Sequence, residues 1–241
     1  MSTIAIYSLK GGVGKTTIAV NLAWSAAIQS SRRTLLWDLD PQAASSFLLS
    51  PGADQPRRHP HAQSIFVKDG TPDPLIQQTA IPRLDLIAAD ASLRGLDLLF
   101  HEMDKKKRLQ KLLSGLRKTY DRILLDCPPG LTETTEQVMR AADLIVVPVI
   151  PSPLSERALA DVIRHLGGRT DVMPVHSMVD GRRKLHADAL ARNPDWPVIP
   201  TASLIEQVTA RRAPIGSFAP RSAGAAAFSQ LWQAIERRIA A

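Results

Sequence analysis

Residues 10–17 read Lys-Gly-Gly-Val-Gly-Lys-Thr-Thr, and no other stretch restricts the possible folds of this chain as strongly. The apolar run Ile4-Ala5-Ile6-Tyr7 precedes it, and a helical pattern, Ile18-Ala19-Val20-Asn21-Leu22-Ala23, follows. A strand, a glycine-rich turn and a helix in that order form a phosphate cradle. Glycines let successive N–H groups curl round the phosphates, and the helix N-terminus adds the positive end of its dipole. In this reading Gly11, Gly12, Val13 and Gly14 supply backbone, Lys15 reaches the β- and γ-phosphates, and the Thr16 hydroxyl ligates Mg2+. The loop departs from the ordinary pattern at one point. Position 9, five residues before Gly14, is Leu instead of Gly, and a second lysine, Lys10, opens the loop. Lys10 sits too early to wrap the γ-phosphate of its own loop easily, so it is free to point elsewhere.

Apolar runs of strand length recur along the chain at 3–8, 34–39, 84–88, 122–126, 144–149, 172–178 and 197–199. Helical patterns fall between or after them at 16–30, 93–118, 133–141, 155–166, 183–192, 203–210 and 223–240. Nearly continuous apolar strands alternating with helices predict a mostly parallel twisted sheet covered on both faces. With 241 residues, 44% of them hydrophobic and 22% charged, the chain has the size and balance of a single α/β domain. Residues 51–74, rich in Pro, Arg, His and Gly, break the alternation and predict a long surface loop. His59 and His61 lie there without a nearby acidic or cysteine cluster, so no metal site is expected on them.

Two further segments bear on phosphate chemistry. The strand at 34–39 runs into Asp38-Leu39-Asp40-Pro41-Gln42, one βα unit after the loop. Ligands gather at the carboxyl ends of strands in an open parallel sheet, and a carboxylate there can position or deprotonate an attacking water. The strand at 122–126 ends in Asp126-Cys127-Pro128-Pro129-Gly130, matching the second Mg2+-organising strand of P-loop NTPases. Cys127 reads as a small strand-end residue, because no histidine is near it in sequence to activate a thiol.

These three segments, in this order and spacing, closely resemble the ParA/MinD ATPases with a deviant Walker A motif. The resemblance continues in Asp143-Leu-Ile-Val-Val-Pro-Val149, in Val198-Ile-Pro-Thr201, and in Pro220-Arg-Ser-Ala-Gly-Ala-Ala-Ala-Phe228. It leaves 51–74 as the main unmatched stretch. The resemblance implies a single-domain P-loop NTPase fold and an ATP-dependent sandwich dimer, in which Lys10 reaches across to the partner's phosphates. It implies that Lys15 and Thr16 hold the β/γ-phosphates and Mg2+, and that Thr17 contacts the α-phosphate. Asp40 is expected to position the hydrolytic water, with Asp38 and Asp126 acting near Mg2+ through bound water. The adenine is expected against Met178, Asp180 and the loop after Pro200. Hydrolysis in this family is slow and stimulated by a partner, here a ParB-like protein or cargo adaptor.

The formal charge of +7 points to a polyanionic partner, nucleic acid first and an anionic membrane second. A ParA-like protein that binds DNA non-specifically as the ATP dimer is the leading expectation, since counterion release needs arginines on one face and no reading helix. The candidates are Arg182, Arg183, Arg192, Arg211, Arg212 and Arg221, whereas Lys105-Lys106-Lys107-Arg108 reads as a solvated helical face. A MinD-like membrane protein is the alternative. Phe228, Leu231, Trp232, Ile235 and Ile239 read better as the core face of the last helix than as a membrane anchor. No run approaches 18 apolar residues, and the single cysteine fits a reducing cytoplasm, so a cytoplasmic, nucleoid-associated protein is expected. A metabolic relative of the same fold is disfavoured. An iron–sulfur reductase needs more cysteines, and an amidoligase needs a substrate pocket that the sequence does not reveal.

Overall fold

In the computed structural model, which describes residues 1–50, 60–67, 70–102 and 107–240, alternation along the strands divides the core into two layers. In β1 (Ser2–Ile6), Ile4 and Ile6 face one layer and Ala5 the other. The same period of two sends Leu35 and Trp37 of β2 (Thr34–Asp38) to one side and Leu36 to the other. Both faces are covered, which is why these strands read as unbroken apolar runs.

Six further strands complete the sheet: β3 (Ile76–Gln78), β4 (Leu84–Ile87), β5 (Arg122–Asp126), β6 (Leu144–Val149), β7 (Asp171–Val179) and β8 (Val198–Pro200). Their order is β3-β4-β2-β5-β1-β6-β7-β8, parallel throughout except for β3 against β4. The chain moves outward from β1 through β2 to β4. It then returns through β5 and continues on the other side of β1 with β6, β7 and β8. That reversal places a crevice at the carboxyl ends of β2, β5 and β1, the position where open α/β sheets bind ligands.

One face is covered by α3 (Leu96–Glu102), α4 (Arg108–Leu116), α5 (Glu133–Ala141) and α6 (Pro153–Leu166). The other carries α1 (Lys15–Trp24), α2 (Ala44–Leu49), α8 (Ser203–Arg211), α9 (Ile215–Phe218) and α10 (Ala223–Ala240). The remaining helix, α7 (Lys184–Arg192), follows β7. At the end of the fold, Phe228, Leu231, Trp232 and Ile235 of α10 are buried, and the Trp232 indole N–H donates to Ser30 Oγ at 2.7 Å. The stripe is therefore core. Among the described residues no helix is long and apolar enough to cross a membrane.

Several elements differ from the sequence expectation. Helix 16–30 begins one residue earlier and changes at Ser25–Gln29 to π-helical winding. The single helix expected over 93–118 becomes a 3-10 turn (Ala91–Gly95) followed by α3 and α4, with Lys105 and Lys106 outside the described residues. Arg108 is not on a solvated face. It is buried, and its Nη2 donates to the carbonyls of Ile65 (2.7 Å), Val67 (2.8 Å) and Gly70 (2.8 Å).

Of the expected surface loop, 51–59 (with His59) and 68–69 lie outside the described residues, but 60–67 turns inward. Phe66 is buried there, stacked on Trp37 at 5.8 Å and edge-on to Phe100 at 5.3 Å. His61 is exposed, with Nδ1 3.8 Å from Asp90 Oδ2. The short elements β3, α2 and α9 had no counterpart in the periodicity, because three to six residues are too few to establish a period.

Candidate nucleotide site

The loop 10–14 leaves β1 and enters α1 with Gly12 at φ 71° and Gly14 at φ 88°. Both lie in the left-handed region that glycine adopts without a Cβ penalty. Gly14 caps α1, and no side chain accepts from the first-turn N–H groups, so those donors remain for an anion. Lys15 is buried at 7% exposure, with Nζ donating to the Lys10 carbonyl at 3.2 Å. Burial pushes its pKa below the ordinary lysine value, while the Asp126 and Asp40 carboxylates work against that shift. The Lys10 backbone N–H donates to Ser8 Oγ at 3.2 Å. Its half-exposed ammonium makes no hydrogen bond or ion pair among the described residues.

Strand register brings the aspartates together. Asp126 pairs in register with Asp38 on β2 and with Ile6 on β1, so both carboxylates sit at strand ends beside the loop. The first turn of α2 then holds each of them. Ser46 donates to Asp38 Oδ2 through N–H (2.9 Å) and hydroxyl (2.7 Å), and the Asp40 N–H donates to Asp38 Oδ1 at 3.1 Å. Ser45 Oγ donates to Asp126 Oδ2 at 2.6 Å. Asp126 Oδ1 is buried without a partner, and the Thr16 hydroxyl lies near enough to favour the ionised carboxylate.

The two aspartates thus differ. Asp38 is surrounded by donors that fix the turn into α2, whereas Asp126, with Thr16 nearby, keeps one oxygen unpartnered among the described residues. A hydrated Mg2+ fits that donor set, because magnesium retains several waters and takes few protein ligands. Among the described residues there is no cluster of three His, Cys, Asp or Glu that would make an all-protein cage.

Asp40 is half-buried, its Oδ1 accepting from the Gln42 N–H at 2.9 Å. On the opposite side, the Tyr7 hydroxyl donates to the Gly130 carbonyl at 3.0 Å and braces the loop after β5. Burial pushes the Cys127 thiol well up, consistent with an inert strand-end residue.

Burial, followed by mutual repulsion in the case of Asp38, raises the pKa of both aspartates. A carboxyl with a raised folded pKa binds its proton more tightly when folded, so its contribution to stability is lost as pH climbs from the ordinary carboxylate range to neutrality. Asp126→Asn removes one charge and keeps an oxygen for Ser45. Its nucleotide-free melting temperature at pH 8 is expected to rise by about 3 °C, on the order of 1 kcal/mol. The gain should shrink toward pH 4 in a thermal-shift series, and a lower melting temperature than wild type at pH 8 would contradict this electrostatic account.

A cleft of about 350 Å³ opens beside the loop, lined by Gly14, Thr17, Ser177, Met178, Pro200, Thr201, Glu206 and Phe228 among others. Ser177 Oγ donates to the Val13 carbonyl at 2.8 Å, tying the end of β7 to the loop. Met178 takes φ 54°, an unusual value for a side chain with a Cβ, where the pairing of β7 with β8 shifts register. Met178 and Pro200 therefore meet Thr17 at one cleft. Asp180 does not line it; its carboxylate accepts from Arg182 Nε and Nη2, both at 2.9 Å.

The candidate arginines separate into two groups. Arg182 pairs with Asp180, and Arg192 pairs with Glu156 at 2.7 Å. Arg211 bonds Gln207 at 2.9 Å and stacks over Phe218, while Arg212 bonds the Phe47 carbonyl at 2.9 Å and stacks over the Phe47 ring. Arg183 and Arg221 are exposed and make no side-chain hydrogen bond or ion pair among the described residues.

Sequence reasoning missed Ser45 and Ser46. The available clue was Ala43-Ala44-Ser45-Ser46-Phe47-Leu48-Leu49, a helix-compatible run immediately after the Asp38–Gln42 turn.

A glycine-rich loop between the central strand and the first helix, with carboxylates at the ends of the next two strands on one side, defines a P-loop NTPase. A family model described as AAA domain matches residues 1–170. The sporulation initiation inhibitor protein Soj of Bacillus subtilis is 30% identical over 246 residues, spanning 95% of each chain. The chromosome partitioning protein ParA of Caulobacter vibrioides is 36% identical over 152 residues, 62% of this chain and 56% of that protein. Among solved structures, apo McdA of Cyanothece superposes with a TM-score of 0.81 at 22% identity, covering 97% of this chain and 99% of that one. The chain belongs to the ParA/MinD family of P-loop ATPases.

Proposed function

We propose that this chain is a Mg2+-dependent ATPase whose ATP-bound form is a sandwich dimer that binds DNA non-specifically and positions a plasmid, chromosome or other cargo. The observation that carries this reading is the placement of the two lysines. Lys15 is buried at the mouth of its own loop, while the half-exposed Lys10 ammonium is unpaired among the described residues. A cation held at the rim of a phosphate site and unused within its own chain is suited to phosphates held by a second copy.

In the proposed cycle Lys15 and the amides of 11–16 bind the β- and γ-phosphates, Thr17 the α-phosphate, and Met178 and Pro200 flank the base. The chemistry supplied by Mg2+, when bound, would be neutralisation of phosphate charge. Thr16 and Asp126 would hold the ion, with Asp38 fixing the turn that carries Asp40. Asp40 orients the attacking water, and slow turnover awaits a ParB-like protein or cargo adaptor. The partitioning role of ParA and the +7 charge support DNA, on the nucleoid in the cytoplasm, as the surface that the dimer occupies. Arg183 and Arg221 become the leading DNA contacts, ahead of the four arginines already engaged within the chain. The buried stripe of α10 does not favour the membrane reading.

DNA binding measured with ATP, ADP and no nucleotide tests the proposal. Wild type should bind only with ATP and Lys15→Ala in no state, while Arg221→Ala should dimerise normally and bind DNA several-fold more weakly. Equal DNA binding in all nucleotide states would overturn the switch.

A further inference from the structure

The geometry points to Ser45 as a positioning residue that aims Asp126 at the metal of the nucleotide site. The inference rests on the proposed Mg-ATP reading and adds to it a residue outside the three phosphate-site segments. Ser45 is fully buried in the first turn of α2, 81 residues from Asp126 in sequence, and donates to Asp126 Oδ2 at 2.6 Å. That is the length of a strong hydroxyl–carboxylate bond. It occupies one carboxylate oxygen and leaves the other, Oδ1, buried and without a partner. A buried orphan acceptor is costly and calls for an occupant.

The arrangement around α2 shows why Ser45 has this role and its neighbour does not. Ser46 points to Asp38, donating through both N–H and hydroxyl, and its hydroxyl also accepts from the Ala89 N–H at 2.8 Å. Ser46 is thus part of a closed network joining β2, α2 and the end of β4. Among the described residues the Ser45 hydroxyl makes one bond, and that bond ends on the carboxylate whose other oxygen is unpartnered. Without the Ser45 hydroxyl the Asp126 carboxyl can rotate about its terminal bond, and its unpartnered oxygen is no longer held in one place. Groups that orient a metal-binding carboxylate typically contribute about 10- to 100-fold in metal affinity.

The test is ATP affinity measured by calorimetry with Mg2+ and with EDTA, so that the readout is metal coupling and not turnover. Ser45→Ala should bind ATP in EDTA within about twofold of wild type and lose about tenfold of the enhancement that Mg2+ gives. Ser45→Thr keeps the hydroxyl and should keep the enhancement. In the Asp126→Asn background, Ser45→Ala should cause no further loss, because the group it orients is gone. A full Mg2+ enhancement in Ser45→Ala, or an equal loss in both backgrounds, would overturn the assignment alone. Absence of Mg2+ enhancement in wild type would overturn the nucleotide reading and the assignment with it. If Ser45→Ala does not fold, Ser45→Thr decides: loss of enhancement in a folded Ser45→Thr protein contradicts the assignment.

Discussion

Asp40→Ala is expected to retain ATP and lose hydrolysis. Removing a group that orients and accepts a proton from the attacking water typically costs about 10²- to 10⁴-fold in rate. The fold should tolerate the change. Asp40 is half-buried, and among the described residues its side chain accepts only the Gln42 N–H, at 2.9 Å. Nucleotide affinity should remain within about threefold of wild type, since in the proposed site phosphate binding rests on Lys15 and the loop amides. Phosphate release measured beside equilibrium binding of a fluorescent ATP analogue separates the two effects. Turnover within about tenfold of wild type would move the water-positioning role elsewhere.

Lys15→Ala acts on a different quantity. The Lys15 ammonium is buried within the loop, and the Asp126 and Asp40 carboxylates both act on it. Truncation removes the charge proposed to face the nucleotide and leaves Asp126 with one positive neighbour fewer. Loss of one partner from a buried, hydrogen-bonded charge pair costs about 2–5 kcal/mol, so ATP affinity should fall by at least about 30-fold. The apo protein should also melt lower at pH 8, because the raised pKa of Asp126 loses an opposing influence. Calorimetric titration with ATP and a melting curve at pH 8 read both effects. Wild-type affinity in Lys15→Ala would remove the lysine from the phosphate site altogether.

The sequence exposed the parts of this fold that repeat or that need particular residue types. Gly12 and Gly14 announce a loop because their backbone angles exclude most side chains. The runs at β1, β2, β5 and β6 are apolar on both faces because two helical layers cover them. What stayed hidden was carried by short elements and by contacts distant in sequence. Residues 60–67 fall within the expected surface loop 51–74, yet Ile65 and Phe66 are buried in the core with Phe66 against Trp37, which periodicity over so few residues cannot reveal.

Ser45 and Ser46 acquire their meaning only from strand register, which sets Asp38 opposite Asp126. The positive charge was visible in the composition, but its distribution was not. Four of the six arginines singled out as DNA contacts make bonds or ion pairs within the chain.

The proposed switch depends most on Lys10 acting across a dimer interface. Sedimentation velocity of the hydrolysis-blocked Asp40→Ala protein with saturating Mg-ATP measures this directly. The single-variant protein should sediment as a dimer, at twice the 26.3 kDa chain mass, and as a monomer with ADP. Adding Lys10→Ala should leave ATP bound but the protein monomeric. An ATP-loaded Lys10→Ala, Asp40→Ala protein that still sediments as a dimer would contradict the account at the first residue of its loop.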